Sequence, residues 1–484
     1  MSGERGAGKT AVLRHLAHHP RAASFPDGIV YLPARRQTSA DLVQLVFDAF
    51  FDSDGICKPT DADIRRGLQE KQALILLDDV DLPQSELEHV LDIAPRSAFV
   101  VTTRQRCLWG EARSVELKGL PADDAVSLLE REIERPLEAA ERIAAAALCT
   151  ALDGHPLRVQ QAAAIAREQG MSLDVCARHL TPANLVTELM PATDEKQRRA
   201  MLAMAALSGV PLRASHVAGI AEVTDIEPLL RLLIRRGIVV SNDARHQLAA
   251  GIGDHLRRKE DLNPWANRAI TYFTAWCERN RRSPASLLEE SDALVRVLQN
   301  AAAARRWAEV LRVGRLLEGA LIGGARWGAW ALVVEQCLAA AKALGDRPAE
   351  AWALHEIGTR ALCLGDTGLA RASLNQAATL REAIDDRGAA AASRRNLAFV
   401  VAPEPEEPRK HPSTRLDDRF DLDSLTFRAE VLPPTRSASS KPAGLLALIL
   451  LLAVVVAGFA NWARPAQQSW SVFNVAGIGS FLQR

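Results

Sequence analysis

Gly3-Glu4-Arg5-Gly6-Ala7-Gly8-Lys9-Thr10 spells a complete G-x-x-x-x-G-K-[ST] near the start of the chain. Holding a polyphosphate asks for these residue types. Gly3, Gly6 and Gly8 let the backbone curl so that successive N–H groups point at phosphate oxygens. Lys9 adds a point charge between the β and γ groups, and the Thr10 hydroxyl ligates Mg²⁺. The expected binding segment runs from Gly3 through Glu4, Arg5, Gly6, Ala7, Gly8, Lys9 and Thr10 to Ala11. The run from Thr10 to His18 reads as a helix whose N-terminal dipole faces the phosphates.

A second constellation supplies acids. Leu74-Ile75-Leu76-Leu77 is a buried strand followed by Asp78-Asp79, so two carboxylates emerge at the strand's C-terminal end, where open α/β sheets bind ligands. Asp78 is expected to hold Mg²⁺ through water and Asp79 to accept a proton from the attacking water. Thr102-Thr103-Arg104 ends the next apolar strand on the same edge, and a cation there senses or stabilises the γ-phosphate. Lys9, Asp78, Asp79 and Arg104 are thus the catalytic candidates, with Thr10 and Asp78 the metal ligands.

The elements that must position these groups follow from the apolar pattern. Gly28 to Leu32, Ala73 to Leu77 and Ala98 to Thr102 have the length of buried parallel strands and are separated by helical stretches, the pattern of a doubly wound α/β domain. A loop of this kind normally follows a central strand, yet only Met1 and Ser2 precede Gly3. The sheet is therefore expected to lack its first strand, as in an N-terminally truncated chain. The resulting fold class is multidomain, α/β plus all-α. It comprises a truncated phosphate-binding α/β domain over 1–120, a helical subdomain over 121–190 and a winged-helix-like domain over 191–262. A solenoid of helical repeats follows over 263–400. The repeat shows directly: Ala343-Leu344-Gly345-Asp346-Arg347 recurs as Ala383-Ile384-Asp385-Asp386-Arg387, in the manner of stacked helix pairs resembling tetratricopeptide repeats.

Residues 401–441 are rich in Pro, Ser and charge and read as a disordered tether. From Ala443 to Ala463 the chain is apolar or small almost throughout; as a helix this stretch spans about 30 Å, the thickness of a bilayer core. One C-terminal transmembrane helix over 442–463 is expected, with a short tail over 464–484. Since a nucleotide site must face the cytoplasm, the expected location is the inner membrane, single-pass, with the N-terminal part inside. The 59 basic and 59 acidic residues cancel, so no net charge draws the chain to nucleic acid. Seven cysteines without C-x-x-C pairs argue against a disulfide framework or zinc site.

The order of motifs resembles an NB-ARC domain of the STAND class of signal-transducing P-loop ATPases, an AP-ATPase-like arrangement. Phe25 to Tyr31 is similar to that family's second strand, Ala73 to Asp81 to its acidic strand, and Thr102-Thr103-Arg104 to its sensor arginine. Leu117 to Pro121 is similar to the lead-in to its helical subdomain, and Leu152 to Leu157 to its Gly-x-Pro motif. The resemblance implies that Pro156 packs on adenine. The family's Met-His-Asp-like motif falls on Leu248-Ala249-Ala250, where alanine can make no phosphate contact, which implies a less firmly locked ADP state.

These readings lead to a membrane-anchored bacterial switch that binds ATP or ADP with Mg²⁺ and hydrolyses ATP slowly. Its repeats receive a protein or ligand, and it self-associates on activation. Two alternatives stand beside it. One is an NTPase-containing transcriptional regulator, using the winged helix and the basic group Arg231, Arg235 and Arg236. The other is a nucleotide-binding scaffold with little hydrolysis.

Overall fold

The computed structural model describes residues 1–51, 59–104, 114–190, 193–242 and 244–401, in two units divided at Ala349. The first unit opens with a parallel sheet, β1 (Ile29–Pro33), β2 (Leu74–Asp78) and β3 (Ala98–Val101), in the order β1-β2-β3. Four helices accompany it: α1 (Lys9–Ala17), α2 (Ser39–Asp48), α3 (Asp61–Leu68) and α4 (Gln84–Leu91). β2 is buried along its whole length, as expected of a strand covered on both faces.

Alternation along β2 sorts its side chains. Ile75 and Leu77 join a core with Leu42, Val46, Ile64, Leu87 and Val90 from α2, α3 and α4. Leu74 and Leu76 join Leu13 of α1 on the opposite face. The next residue in the second series is Asp78, so the two-residue period alone turns its carboxylate toward the N-terminus of α1.

Beside β3, on the edge away from β2, Ser2 bridges Thr103 and Glu116, parallel to both. Thr103 N donates to Met1 O at 3.0 Å, and Leu117 N to Ser2 O at 2.8 Å. The slot expected to be empty next to the loop is thus paired on both sides at its C-terminal tip.

Five helices follow: α5 (Ala122–Ile133), α6 (Ala139–Ala151), α7 (Pro156–Gln169), α8 (Leu173–His179) and α9 (Leu185–Leu189). Then comes a module of α10 (Glu195–Ala206), β4 (Leu212–Arg213), α11 (Ala214–Ala221), α12 (Ile226–Arg235), β5 (Val239–Asn242), β6 (Arg245–Leu248) and α13 (Ile252–Lys259). Its strands are antiparallel in the order β4-β6-β5. The first unit ends with α14 (Asn263–Arg279), α15 (Pro284–Glu289), α16 (Ser291–Ala303), α17 (Trp307–Gly323) and α18 (Trp327–Leu344); the second holds α19 (Arg347–Cys363), α20 (Thr367–Ala383) and α21 (Arg387–Val401).

Successive turns in this region share one construction. Arg305, Ala325, Gly345, Gly365 and Asp385 all have positive φ, between 51° and 78°. The N–H that follows each reaches back to the helix just ended: Arg306 to Ala301 O, Arg326 to Leu321 O, Asp346 to Ala341 O, Asp366 to Ala361 O and Asp386 to Arg381 O, at 2.8–3.0 Å. This is the left-handed closure that satisfies orphan carbonyls at a helix end. The regularity reaches back to Arg305, well before the repeat legible between 343 and 387.

The expected transmembrane helix, and the inner-membrane location that depended on it, need correcting. Among the described residues no helix is long and apolar enough to cross a membrane. The long apolar helix α18 interrupts its run with Glu335 and Lys342 and buries Trp330, Val333, Val334 and Cys337 against its neighbours. The stretch 442–463 and the tether before it lie outside the described residues. The fold described is α/β plus all-α without a membrane span, and membrane anchoring is not carried forward.

In the second unit His355 is buried at 2 % exposure. Its Nδ1 lies 3.1 Å from Ser393 Oγ, which accepts a bond from Arg381 Nη1 at 2.7 Å. Burial, reinforced by Arg381, pushes the imidazole down to about 3. The folded state therefore refuses a proton that the unfolded chain takes up near pH 6.5. Its contribution is complete above that pH and shrinks as pH falls toward 3, by up to about 1.4 kcal/mol per unit. Calorimetric melting of the full chain should fall less steeply between pH 6.5 and 5 in His355→Gln than in wild type. Equal slopes would contradict the assignment.

Candidate functional site

The carboxylate of Asp78, 8 % exposed, accepts three hydroxyl bonds. Thr10 Oγ1 donates to Oδ2 at 2.8 Å, Tyr31 OH donates to Oδ2 at 2.9 Å, and Thr102 Oγ1 donates to Oδ1 at 2.6 Å. Each donor comes from a different element: the first turn of α1, the middle of β1 and the end of β3. The Tyr31 phenol is pushed up to about 12, by burial first and then by the neighbouring Asp78 charge, so it remains a donor at any physiological pH.

Asp79, the next residue, leaves the strand with φ 58°. Its N–H donates to Thr102 Oγ1 at 2.7 Å, so one buried hydroxyl serves both acids. That bond helps hold a left-handed backbone that a non-glycine residue adopts only when its surroundings enforce it. Asp79 Oδ2 lies 3.4 Å from Arg35 Nε.

The loop itself closes on Lys9. Its Nζ donates to Gly3 O at 2.7 Å and to Glu4 O at 2.8 Å. Burial lowers the ammonium below its usual value, opposed by Asp79 and Asp78. Gly6 has φ 90° and runs hard against α7: a Cβ there would stand 2.7 Å from Leu157 Cδ2 and 2.9 Å from His155 Cε1. An ion pair fixes the same approach, with Arg158 Nη2 2.7 Å from Glu4 Oε2 while its Nη1 meets Asp153 at 2.9 Å. Pro156 opens α7 between these contacts, and His155 Nδ1 accepts the N–H of Arg158 as the N-cap. Burial, with Arg158 nearby, lowers the His155 pKa.

Several cations act on one another here, with Asp78 and Asp79 among them. The Arg5 guanidinium is lowered by partial burial and by the nearby Arg104 and Arg35, with Asp79 and Asp254 opposing. Arg104 also acts on Lys9. Like charges held this close cost free energy unless an anion completes the set.

Gly3 to Ala11, Asp78, Asp79, Arg104 and Pro156 therefore lie about one loop at the C-terminal edge of the sheet. Alanine stands at the Leu248-Ala249-Ala250 position: Ala249 is 4 % exposed and its N–H donates to Ile238 O at 2.8 Å. α13, which follows it, brings Asp254 within electrostatic range of Arg5. Of the two nearby histidines, His246 is buried within the hairpin and His255 half-buried on α13. Tyr31, Arg35, the Thr102 hydroxyl and the Glu4–Arg158 pair escaped the sequence reading. Arg35 reaches the site because Pro33 pairs with Asp78 in register, which sets the residues after β1 beside Asp79.

Among the described residues no cluster of three or more His, Cys, Asp or Glu side chains could hold a metal by itself. Magnesium asks for less, since it keeps waters and phosphate oxygens and takes one or two protein ligands. The hydrogen-bonded Thr10–Asp78 pair fits that need.

No family model matches the chain, and no curated protein does. Among solved structures it resembles a Signal Transduction ATPase with Numerous Domains (STAND) protein with a tetratricopeptide repeat sensor, PH0952 from Pyrococcus horikoshii. Identity is 14% and the TM-score 0.41, covering 83% of this chain and 77% of that one. It also resembles the Walker-type ATPase PABY2304 of Pyrococcus abyssi, at 14% identity and a TM-score of 0.26 over 53% of this chain and 89% of that one. With both TM-scores below 0.5, the residue assignments rest on the geometry above.

Replacing Thr102 by Val keeps the shape but removes a donor to Asp78 and the acceptor of the Asp79 N–H. Urea unfolding should show a loss of about 1–3 kcal/mol. A change within error of zero would mean that the hydroxyl does not tie the two acids together.

Proposed function

We propose that the chain is a STAND-type ATPase switch that binds ATP and ADP with Mg²⁺ through the loop Gly3–Ala11 and hydrolyses ATP slowly. The observation that carries this reading is the convergence of Lys9, Arg5 and Arg104 about a loop whose Thr10 already touches Asp78. A polyphosphate would supply negative charge that draws those cations together. Bound Mg²⁺ would draw charge from the β and γ oxygens, with Thr10 and Asp78 as its protein ligands. Lys9 exchanges the loop carbonyls for phosphate oxygens. Arg104 places positive charge where the leaving phosphate accumulates negative charge, and Asp79 takes the proton of the attacking water. Pro156, beside Gly6, is proposed as the adenine-packing residue.

The parts are proposed to work in sequence. Residues 1–120 bind nucleotide, 121–190 cover it through α7, 191–262 report its state, and 263–400 receive a protein or ligand that biases the equilibrium, with self-association as the active outcome. A scaffold with little hydrolysis is the second reading, favoured by Ala249 and by the engagement of Asp79 with Arg35. A transcriptional regulator remains the third reading, and two of its three basic residues have carboxylate partners. Arg235 pairs with Glu134 at 2.7 Å and Arg236 with Glu168 at 2.5 Å, while the β5–β6 hairpin is held by Arg14 on Asn242 and Arg35 on Gln247.

Fluorescent ATP titration and phosphate release test the proposal together. Lys9→Ala should weaken nucleotide binding by about 10²-fold, the loss of a charge-assisted contact worth roughly 3 kcal/mol. Asp79→Ala should bind nucleotide normally and release phosphate about 10²-fold or more slowly. Equal release rates in a wild type and an Asp79→Ala protein that both bind ATP would instead leave the scaffold. No binding by wild type would end the nucleotide reading.

A further inference from the structure

Arg35 leaves β1 at the C-terminal edge of the sheet and touches three things. Its Nε lies 3.4 Å from Asp79 Oδ2, and its Nη1 donates to Gln247 Oε1 on β6 at 2.8 Å. Its Nη2 stands 3.0 Å from where a Cβ on Gly209 would sit, in the turn after α10. One planar guanidinium therefore connects the acid at the end of β2 with two segments of the module 195–259. Arg36 reinforces the contact: its Nη2 donates to Ser208 O at 2.7 Å. Its φ of 61° brings two consecutive side chains to the same module, which an extended strand would send to opposite faces.

The chemistry of the pair decides what this connection does. A guanidinium 3.4 Å from one carboxylate oxygen attracts it and competes with a water molecule for that oxygen. The contact is broken by moving one of its ends. The Asp79 end is fixed by its N–H bond to Thr102 Oγ1. The other end is the module, held to the sheet edge by Arg35, Arg36 and the Arg14–Asn242 bond.

We propose that Arg35 is a positioning residue that couples the module 195–259 to Asp79, holding that carboxylate away from the attacking water while the β5–β6 hairpin is docked. The coupling rests on the reading of Asp79 as general base. Because it is a linkage between two positions of one protein, it runs both ways: undocking the hairpin frees Asp79, and a γ-phosphate that recruits Asp79 loosens the hairpin.

The test uses the full chain with two variants. Gln247→Leu cuts the link at the module and leaves Arg35 beside Asp79; Arg35→Gln cuts it at the acid. Single-turnover phosphate release, nucleotide affinity, and hydrogen exchange of Val239–Leu248 without nucleotide are measured for each. Both variants should release phosphate about 5-fold or more faster, the lower range of allosteric coupling, with affinity within about 2-fold of wild type, and both should exchange the hairpin amides faster. The acceleration should vanish when Asp79→Ala is added. Unchanged or slower release by Arg35→Gln at normal affinity would overturn the proposal, as would acceleration that survives in the Asp79→Ala background. If wild type binds no nucleotide, the site reading has failed, and hairpin exchange alone judges the tie: unchanged protection in Arg35→Gln removes it, and faster exchange sustains it as a mechanical contact.

Discussion

The structure around the loop depends on one buried carboxylate that cannot be left without donors. Asp78 ends a strand whose every residue is inside, and an anion there is tolerable only if it is hydrogen-bonded on all sides. The three hydroxyls that satisfy it come from α1, β1 and β3. In satisfying one charge they fix the position of the helix behind the loop, the register of the neighbouring strand and, through Thr102, the backbone of Asp79. The loop's geometry is thus inherited from the sheet.

Around that fixed centre the remaining contacts are made by parts distant in sequence. Glu4 is held by Arg158 and Gly6 by the first turn of α7. Arg14 and Arg35 hold the hairpin, and Asp41 of α2 accepts the N–H of Gly328, at the start of α18, at 3.0 Å. The loop is consequently bordered by elements that do not belong to the sheet, attached by a few polar contacts. Such borders are separable at modest cost, because partly exposed ion pairs contribute little individually. A rigid centre with loosely attached borders is the mechanical requirement for a two-position device.

What was legible in the sequence was whatever depends on short spacing. Gly3 to Thr10 and Leu74 to Asp79 announce themselves because curl, charge and strand period are local properties. The recurrence of Ala343 to Arg347 at Ala383 to Arg387 was readable for the same reason. Arg35 and Arg158 were not, since each acquires its meaning only when a segment far away arrives beside it. Tyr31 was quoted as part of a strand, but its bond to Asp78 follows from register, which hydropathy does not specify. The membrane span was read from hydropathy alone, and no described helix supports it; apolar length distinguishes poorly between a helix in lipid and one covered by its neighbours.

The turns at Arg305, Ala325, Gly345, Gly365 and Asp385 have a consequence for the history of such a chain. Each closes its helix by the same backbone bond, whether arginine, alanine, glycine or aspartate occupies the turn. A gene segment encoding one helix pair can then be duplicated or deleted in frame without spoiling the joint on either side. The surface of the repeats is free to diversify by copy number as well as by point change, while the loop at Gly3 to Thr10 is tied to α7 and to Asp78 and is constrained from several directions at once.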